Sequence, residues 1–231
     1  MAKIRQAVAN ATVKNTNTNQ EIQLKSLWAE KPCVITFLRR LGCRYCRVGA
    51  RELSEIKPFL EVSNFKLIGV CFDSFGIEEF KNGEFFEGDL YLDETRSTYK
   101  ALNFKRSNWL KVFKKSISTY FHITRKAKSL NITGNFKGDG LQLGGTVAVA
   151  VDDTLLYSFS QSHISDELDV KALCQSLDIQ LTVNVNAEHM NQNILTGSCA
   201  RKAKWKKSNT WTTEFPIYSY IVCVSSMITV I

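Results

Sequence analysis

The hydrophobic and polar positions of the first 181 residues predict an alternation of strands and helices. Alternating or continuous apolar runs bounded by polar turns are typical of strands, and apolar residues at helical spacing are typical of packed helices. The predicted strands are 11–13, 21–24, 33–38, 65–72, 89–93, 146–151 and 155–159. The predicted helices are 26–29, 44–61, 75–80, 94–102, part of 109–130, and 166–177. Pro58 should kink or end the long helix, and the glycines of 131–145 indicate an irregular loop.

The order of these elements predicts the fold class. An N-terminal β-hairpin precedes a strand–helix–strand unit, and a final strand–strand–helix unit follows an insertion of about 70 residues. We therefore predict an α/β protein with a thioredoxin-like fold, in which two of the cysteines lie at the carboxyl end of a central strand.

The character of the chain changes after Leu181, which predicts two parts. Residues 1–181 form the expected redox domain, and residues 182–231 form a divergent, poorly ordered C-terminal tail without periodicity. The uncharged segment 215–231 is as short as a membrane span can be, since a span needs about 17–25 residues. Membrane association of the tail is therefore an alternative, but its serine, threonine and β-branched residues favour a weak strand or a disordered terminus.

Composition and charge narrow the class of protein. With 44% hydrophobic and 23% charged residues the chain is expected to be globular. The net charge of +8 suggests a nucleic-acid partner, but five basic and two acidic residues belong to the tail, and the core has no recognition motif. We therefore expect no nucleic-acid partner. The scattered cysteines and the polar N-terminus, which shows no apolar leader, indicate a reducing, cytosolic compartment.

Cys43 and Cys46 are the candidate catalytic residues, because they lie where a buried strand ends and a helix begins. A helix N-terminus lowers the pKa of a thiol, and this spacing allows the pair to cycle between dithiol and disulfide. A zinc half-site is one alternative, but it needs two more ligands and no second pair with such spacing exists. Two unreactive cysteines are the other alternative. We predict no metal site.

Arg40, Arg44 and Arg47 surround the thiols in sequence and are predicted to act electrostatically, together with the preceding Arg39. Positive charge should lower a thiol pKa, attract an anionic substrate such as a lipid carboxylate, or stabilise a departing oxygen. The alternative is a solvated face of the helix, because Arg44, Arg47 and Arg51 share one side. The glycines of 134–145 match no nucleotide-binding pattern, so no tightly bound cofactor is predicted.

Residues 38–47, Leu-Arg-Arg-Leu-Gly-Cys-Arg-Tyr-Cys-Arg, resemble the redox motif of the peroxiredoxin-like 2 family, whose core is thioredoxin-like. The same resemblance continues in order through 21–28, 88–94, 99–106, 134–139 and 141–145. It implies a cytosolic oxidoreductase that reduces the endoperoxide of prostaglandin H2 or prostamide H2 to the F2α product. NADPH would donate electrons indirectly, through thioredoxin and thioredoxin reductase. The alternatives are a general antioxidant peroxidase of the same fold and a redox-sensing module without turnover.

The resemblance leaves the order of the two thiols open. Alignment with thioredoxins makes Cys43 the nucleophile and Cys46 the resolving thiol, whereas alignment with typical peroxiredoxins puts Cys46 at the attacking position. We favour Cys43, because the first cysteine of such a turn is normally the more exposed. The stretch 143–146 has no proline where thioredoxins carry a cis-proline, and it lacks the arginine that peroxiredoxins have nearby. The missing proline argues against simple disulfide exchange with protein substrates. The missing arginine argues against a simple hydrogen peroxide reductase.

Overall fold

The computed structural model describes residues 2–107 and 117–181. Within these ranges one mixed sheet has the strand order β2-β1-β5-β4-β3-β6-β7. The strands are β1 (Thr12–Asn15), β2 (Glu21–Gln23), β3 (Cys33–Phe37), β4 (Lys66–Cys71), β5 (Asp89–Leu92), β6 (Gly145–Val149) and β7 (Leu155–Ser160). The α-helices are α1 (Gln6–Ala9), α2 (Arg44–Glu55), α3 (Lys57–Val62), α4 (Ile77–Asn82), α5 (Ser97–Ala101), α6 (Ile117–Ser129) and α7 (Val170–Ser176), and a 3-10 helix covers Leu24–Trp28.

Strand β3 lies at the centre of the sheet and carries the thiol loop at its carboxyl end. It runs parallel to β4 and antiparallel to β6, so that Ile35 pairs with Ile68 on one side and with Val147 on the other. All five residues of β3 are buried, which explains why its sequence is a continuous apolar run instead of an alternating one. The predicted order of strands and helices is confirmed.

Several helix bounds differ from the predicted ones, and two of these differences have a clear local reason. The predicted helix 44–61 is divided at Ile56, and Pro58 occupies the first turn of α3, where its missing N–H costs nothing. The predicted helix 166–177 begins only at Val170, because the Asp169 carboxylate accepts a hydrogen bond from the Ala172 N–H and caps α7.

An aromatic cluster fixes the carboxyl ends of β3 and β4. The buried Tyr99 hydroxyl lies 2.8 and 2.9 Å from the carbonyl oxygens of Leu38 and Val70 and shares its proton between them. The rings of Phe37 and Phe72 pack edge-on against the Tyr99 ring, with centroids 5.6 and 5.2 Å away. These contacts hold the end of β3 in place, directly before the loop that carries the thiols.

The predicted boundary after Leu181 stays a prediction, because the tail 182–231 lies outside the described residues. The predictions about the order of this tail and its contact with a membrane also fall there. In the part of the chain that is described, no helix is both long and apolar enough to cross a membrane.

Candidate active site

The two cysteines occupy the turn that joins β3 to α2. Cys43 is the N-cap residue of α2, and Cys46 lies in the first turn of that helix. The Cys43 side chain is buried, with 4% of the residue exposed, whereas Cys46 is partly exposed. The expectation that Cys43 is the more exposed thiol is therefore wrong. A difference in accessibility gives no support to Cys43 as the nucleophile, and its ionisation must be considered instead.

Arg39 contacts the Cys43 sulfur directly. Its Nη2 donates a hydrogen bond to Cys43 Sγ at 2.5 Å, and its Nη1 donates one to the Gly140 carbonyl oxygen at 2.7 Å. The residue is 4% exposed. Burial alone would lower the pKa of this guanidinium, but the two neighbouring sulfurs raise it, so the cation is retained beside the thiols.

The pair of thiols shares one proton unequally. The pKa of Cys43 is held well below that of an ordinary thiol, mainly by a hydrogen bond from the Cys46 thiol and, against the opposing effect of burial, by the charge of Arg39. The pKa of Cys46 is raised by that same hydrogen bond, by burial and by the negative charge on Cys43. Both shifts, together with the hydrogen bond from Arg39 to Cys43 Sγ, favour the thiolate at Cys43 and the proton at Cys46.

Arg47 is part of the scaffold, which corrects its predicted role at the substrate. It is 1% exposed, and its Nε donates to the Leu41 carbonyl oxygen at 2.8 Å. Its Nη2 pairs with Glu79 Oε1 at 2.7 Å, and its guanidinium lies 4.6 Å from the centre of the Phe85 ring. With its donors engaged and its surface covered, Arg47 positions the thiol loop and does not meet a substrate.

The glycine-rich loop between α6 and β6 packs on the turn that carries the thiols, a role that the sequence analysis missed. Three arginines around the thiols each donate a hydrogen bond to a carbonyl of this loop. The pairs are Arg47 with Thr133 (2.9 Å), Arg40 with Phe136 (3.0 Å) and Arg39 with Gly140 (2.7 Å). The loop is also tied to the thiol turn, since Asn135 N–H donates to the Gly42 carbonyl oxygen at 2.7 Å. A Cβ at Gly134 would come within 2.9 Å of the Arg44 nitrogen, so a bare backbone is required at this approach.

A small cavity opens beside Cys46. It encloses about 70 Å³ and is lined by, among others, Leu38, Arg39, Cys46, Thr146 and Phe159. Ligand pockets for drug-sized molecules are several times larger, so this one has room for a reacting group and not for a whole lipid. Arg39 and Cys46 both line the cavity, whereas Cys43 is not among its lining residues.

Buried donors without partners remain around the thiols. Among the described residues, the Nε–H groups of Arg39, Arg40 and Arg44 are buried and donate to no hydrogen-bond partner. Unsatisfied buried cationic donors are costly, and they favour an anion or a developing negative charge nearby. A thiolate, an adjacent thiol with a proton and a free guanidinium donor form a set suited to the two-electron reduction of an oxygen–oxygen bond.

Gly144 approaches the end of β3 as bare backbone. A Cβ at Gly144 would overlap the Phe37 carbonyl oxygen, so no side chain fits there, and the described residues contain no cis peptide bond. Within the same described ranges, no group of three histidine, cysteine or acidic side chains is arranged to hold a metal ion. The zinc alternative thus finds no ligand set around Cys43 and Cys46.

Comparison with known proteins adds relatives in sequence and in structure. The family model of the AhpC/TSA antioxidant enzyme matches residues 52–163, a range that begins after the two cysteines. The prostamide/prostaglandin F synthase of Salmo salar is 38% identical over 185 residues, which are 79% of this chain and 92% of that protein. The enzyme of the same name from Homo sapiens is 36% identical over 178 residues, 76% of this chain and 90% of that protein.

Solved structures show the same fold at low sequence identity. Peroxiredoxin Q of Xanthomonas campestris superposes with a TM-score of 0.54 at 13% identity, covering 77% of this chain and 96% of that one. Peroxidoxin BcpB from Mycobacterium tuberculosis gives a TM-score of 0.52 at 15% identity, with the same coverage of 77% and 96%. The predicted α/β fold, thioredoxin-like in its peroxiredoxin variant, is confirmed.

Proposed function

The chain belongs to the prostamide/prostaglandin F synthase family, and on that premise we propose that it reduces the endoperoxide of prostaglandin H2 or prostamide H2 to the F2α product. The observation that carries this proposal is the thiolate of Cys43, held by Arg39 and by the thiol of Cys46. The protein is accordingly a thiol-dependent oxidoreductase in which Cys43 and Cys46 are the catalytic residues.

The first step is attack of the Cys43 thiolate on one oxygen of the endoperoxide. A sulfur–oxygen bond forms, the oxygen–oxygen bond breaks, and the second oxygen leaves as an alkoxide. The raised pKa of Cys46 keeps a proton beside this alkoxide, and its transfer gives the first hydroxyl group. The transfer also converts Cys46 into a thiolate.

In the second step, the Cys46 thiolate attacks the Cys43 sulfur. A disulfide forms, the sulfur–oxygen bond breaks, and the departing alkoxide takes a proton from water to give the second hydroxyl group. Two electrons have then passed from the dithiol to the former endoperoxide, and both oxygens stay in the product. The position of Cys46 one helical turn after Cys43 supports this sequence, and each thiol shifts the pKa of the other.

The arginines around the thiols divide into two groups. Arg39 stabilises the thiolate through Nη2, and we assign its unpartnered Nε to the departing oxygen, since Arg39 lines the cavity beside Cys46. Arg40 and Arg44 are partly exposed, and their positive potential would attract the carboxylate of prostaglandin H2.

Regeneration of the dithiol needs two electrons, which we assign to NADPH through thioredoxin and thioredoxin reductase, without a tightly bound cofactor. The cytosol is the compartment that fits, because such reductants keep thiols reduced there.

A general peroxidase is the second candidate, and two observations favour it. The matched family model is that of an antioxidant enzyme, and the cavity of about 70 Å³ admits a small peroxide. The two functions share the same thiol chemistry and differ in the oxidant that they accept.

The test is NADPH consumption by the full chain, coupled through thioredoxin and its reductase, with prostaglandin H2, prostamide H2 or hydrogen peroxide as oxidant. Endoperoxide-dependent consumption that is lost in Cys43→Ser and kept in Cys174→Ala, a buried thiol far from the motif, supports the proposal. Turnover with hydrogen peroxide alone would support the general peroxidase. Absence of turnover with every oxidant would contradict both and favour a redox sensor.

A further inference from the structure

Two phenylalanine side chains project into water from loops beside the thiols. Phe136 is 95% exposed and Phe75 is 69% exposed. Scattered exposed aliphatic residues are common, but two aromatic rings on neighbouring loops at a reactive site are typical of an interaction surface.

The two loops that carry these rings meet at Arg40. The Arg40 Nη1 donates to the Phe136 carbonyl oxygen at 3.0 Å. On the other loop, the Asp73 carboxylate accepts from the Phe75 N–H at 2.9 Å. A Cβ at Gly138 would lie 2.9 Å from Asp73 Oδ2 and 3.4 Å from Arg40 Cγ, so the loops touch at this point. Phe75 and Phe136 therefore belong to one rim around the thiol turn.

Cations lie next to the Phe136 ring of this rim. The Arg40 guanidinium lies 5.7 Å from the centre of the Phe136 ring, and the adjacent Lys137 is exposed. Arg44, partly exposed, begins α2 directly beneath the same loop. An aromatic tip beside a basic side chain suits the boundary between acyl chains and anionic headgroups.

Most acidic groups near the rim are already neutralised. Asp139 accepts from Arg96 at 2.7 Å and from Arg106 at 2.8 Å, and these two cations lower its pKa together with the Leu141 N–H, against the effect of burial. Glu79 is paired with Arg47 at 2.7 Å. Asp73 lies within the rim and Lys137 also interacts with Glu79, but the three cations Arg40, Arg44 and Lys137 outnumber the rim's own carboxylate.

We propose that this rim, defined by Arg40, Phe75, Phe136 and Lys137, docks the protein on an anionic lipid surface. The rings enter the headgroup region and the cations contact lipid phosphates and carboxylates. A lipid surface fits better than a protein partner, because the rings project singly from separate loops with cations beside them, instead of forming one continuous apolar face. The inference rests on this surface and does not depend on the proposed reaction.

The test is co-sedimentation of the full chain with phosphatidylcholine vesicles, with and without phosphatidylserine. We expect binding only to the vesicles with phosphatidylserine, and weaker binding at high salt. Phe136→Ala should lower the partition coefficient about tenfold, because the larger of the two exposed apolar surfaces is lost. Lys137→Gln should lower it about fivefold, through the loss of one charge near the surface.

Val62→Ala is the matched control, since Val62 is 90% exposed and ends α3, at the end of the sheet away from the thiols. It should bind vesicles as the unchanged chain does. Failure of the unchanged chain to bind, or equal binding by Phe75→Ala, Phe136→Ala and Val62→Ala, would overturn the proposal. A double variant, Phe75→Ala with Phe136→Ala, gives a further test. If it binds vesicles normally but is no longer reduced by thioredoxin, the proposal is overturned and the rim is a docking site for a protein. Because vesicle binding is measured without oxidant, failure of the proposed reaction leaves this test intact.

Discussion

Arg39 and Cys43 are joined by a hydrogen bond of 2.5 Å from Nη2 to Sγ, at a place where both residues are 4% exposed. Little water is present to screen the attraction between a guanidinium and a thiolate there. The same guanidinium holds the Gly140 carbonyl oxygen at 2.7 Å. One side chain therefore both ionises the thiol and fastens the loop that packs on the thiol turn.

Loss of this guanidinium should slow the reaction and move its pH dependence. We expect Arg39→Gln to lower kcat/KM about 10²–10³-fold, as for the removal of a donor that stabilises developing charge. In the unchanged chain the lowered pKa of Cys43 means that the rate stays high below the ordinary thiol pKa and falls only as pH drops through the lowered value. In Arg39→Gln the same fall should occur at higher pH.

The measurement is the pH profile of single-turnover reduction, with Arg51→Gln, a partly exposed arginine of α2, as the control. Arg39→Lys should be intermediate, because an ammonium keeps the charge but cannot hold both Cys43 and Gly140. A profile of Arg39→Gln that coincides with that of the unchanged chain would refute the role given to Arg39.

Arg47 should matter for stability and not for substrate affinity. Its replacement by glutamine leaves carbonyl oxygens of Leu41 and Thr133 without a charged donor, so Arg47→Gln should lower the free energy of unfolding by about 3 kcal/mol. Glu79 is half exposed, and Glu79→Gln should cost under about 1 kcal/mol. Urea unfolding measures both. If Arg47→Gln is as stable as the unchanged chain and has a raised KM, then Arg47 does act at the substrate, as the sequence predicted.

Buried thiols away from the active site should weaken the fold in alkali. Burial raises the pKa of Cys33 to about 12, so the folded state keeps a proton that the unfolded state loses above its own thiol pKa. The stabilisation is complete below about pH 8.5 and is lost as pH rises toward 12, by about 1.4 kcal/mol per pH unit. Burial raises the pKa of Cys71 to about 12 as well, so Cys33→Ala should make the alkaline slope smaller by about 1.4 kcal/mol per pH unit and leave the share of Cys71 in place. Urea unfolding at several pH values measures the slope, and at pH 7 the contribution of Cys33 to it is zero. An unchanged slope in Cys33→Ala above pH 9 would show that Cys33 is not the group responsible.

The strands and helices could be predicted from the sequence, because each one depends on residues that are close together in the chain. The buried run of β3, the helical spacing of α2 and the position of Cys43 at their junction all follow from neighbours in the chain. The division of the long helix at Ile56 was expected from Pro58 for the same reason.

The sequence was not sufficient for the surroundings of the thiols, because these depend on contacts between distant segments. Arg47 lies on a helix face that is usually solvated, and it is buried only because the loop at Thr133 packs over it. Cys43 is buried in the turn on which that loop packs, and Arg39 finds its carbonyl partner at Gly140, about a hundred residues away. The one local signal for Arg39 was its place directly after a fully buried strand, where a charged side chain needs buried partners.

The most direct test of the account asks which sulfur bonds to the substrate oxygen. Cys46→Ser and Cys43→Ser are each mixed with prostaglandin H2, and their masses are measured at once, with a sulfenic-acid trap present to catch any hydrolysed adduct. The account predicts an adduct of substrate mass, or a trapped sulfenic acid, at Cys43 of Cys46→Ser and none on Cys43→Ser. An adduct at Cys46 of Cys43→Ser, with none on the other variant, would contradict the assignment of the thiolate and of the nucleophile to Cys43.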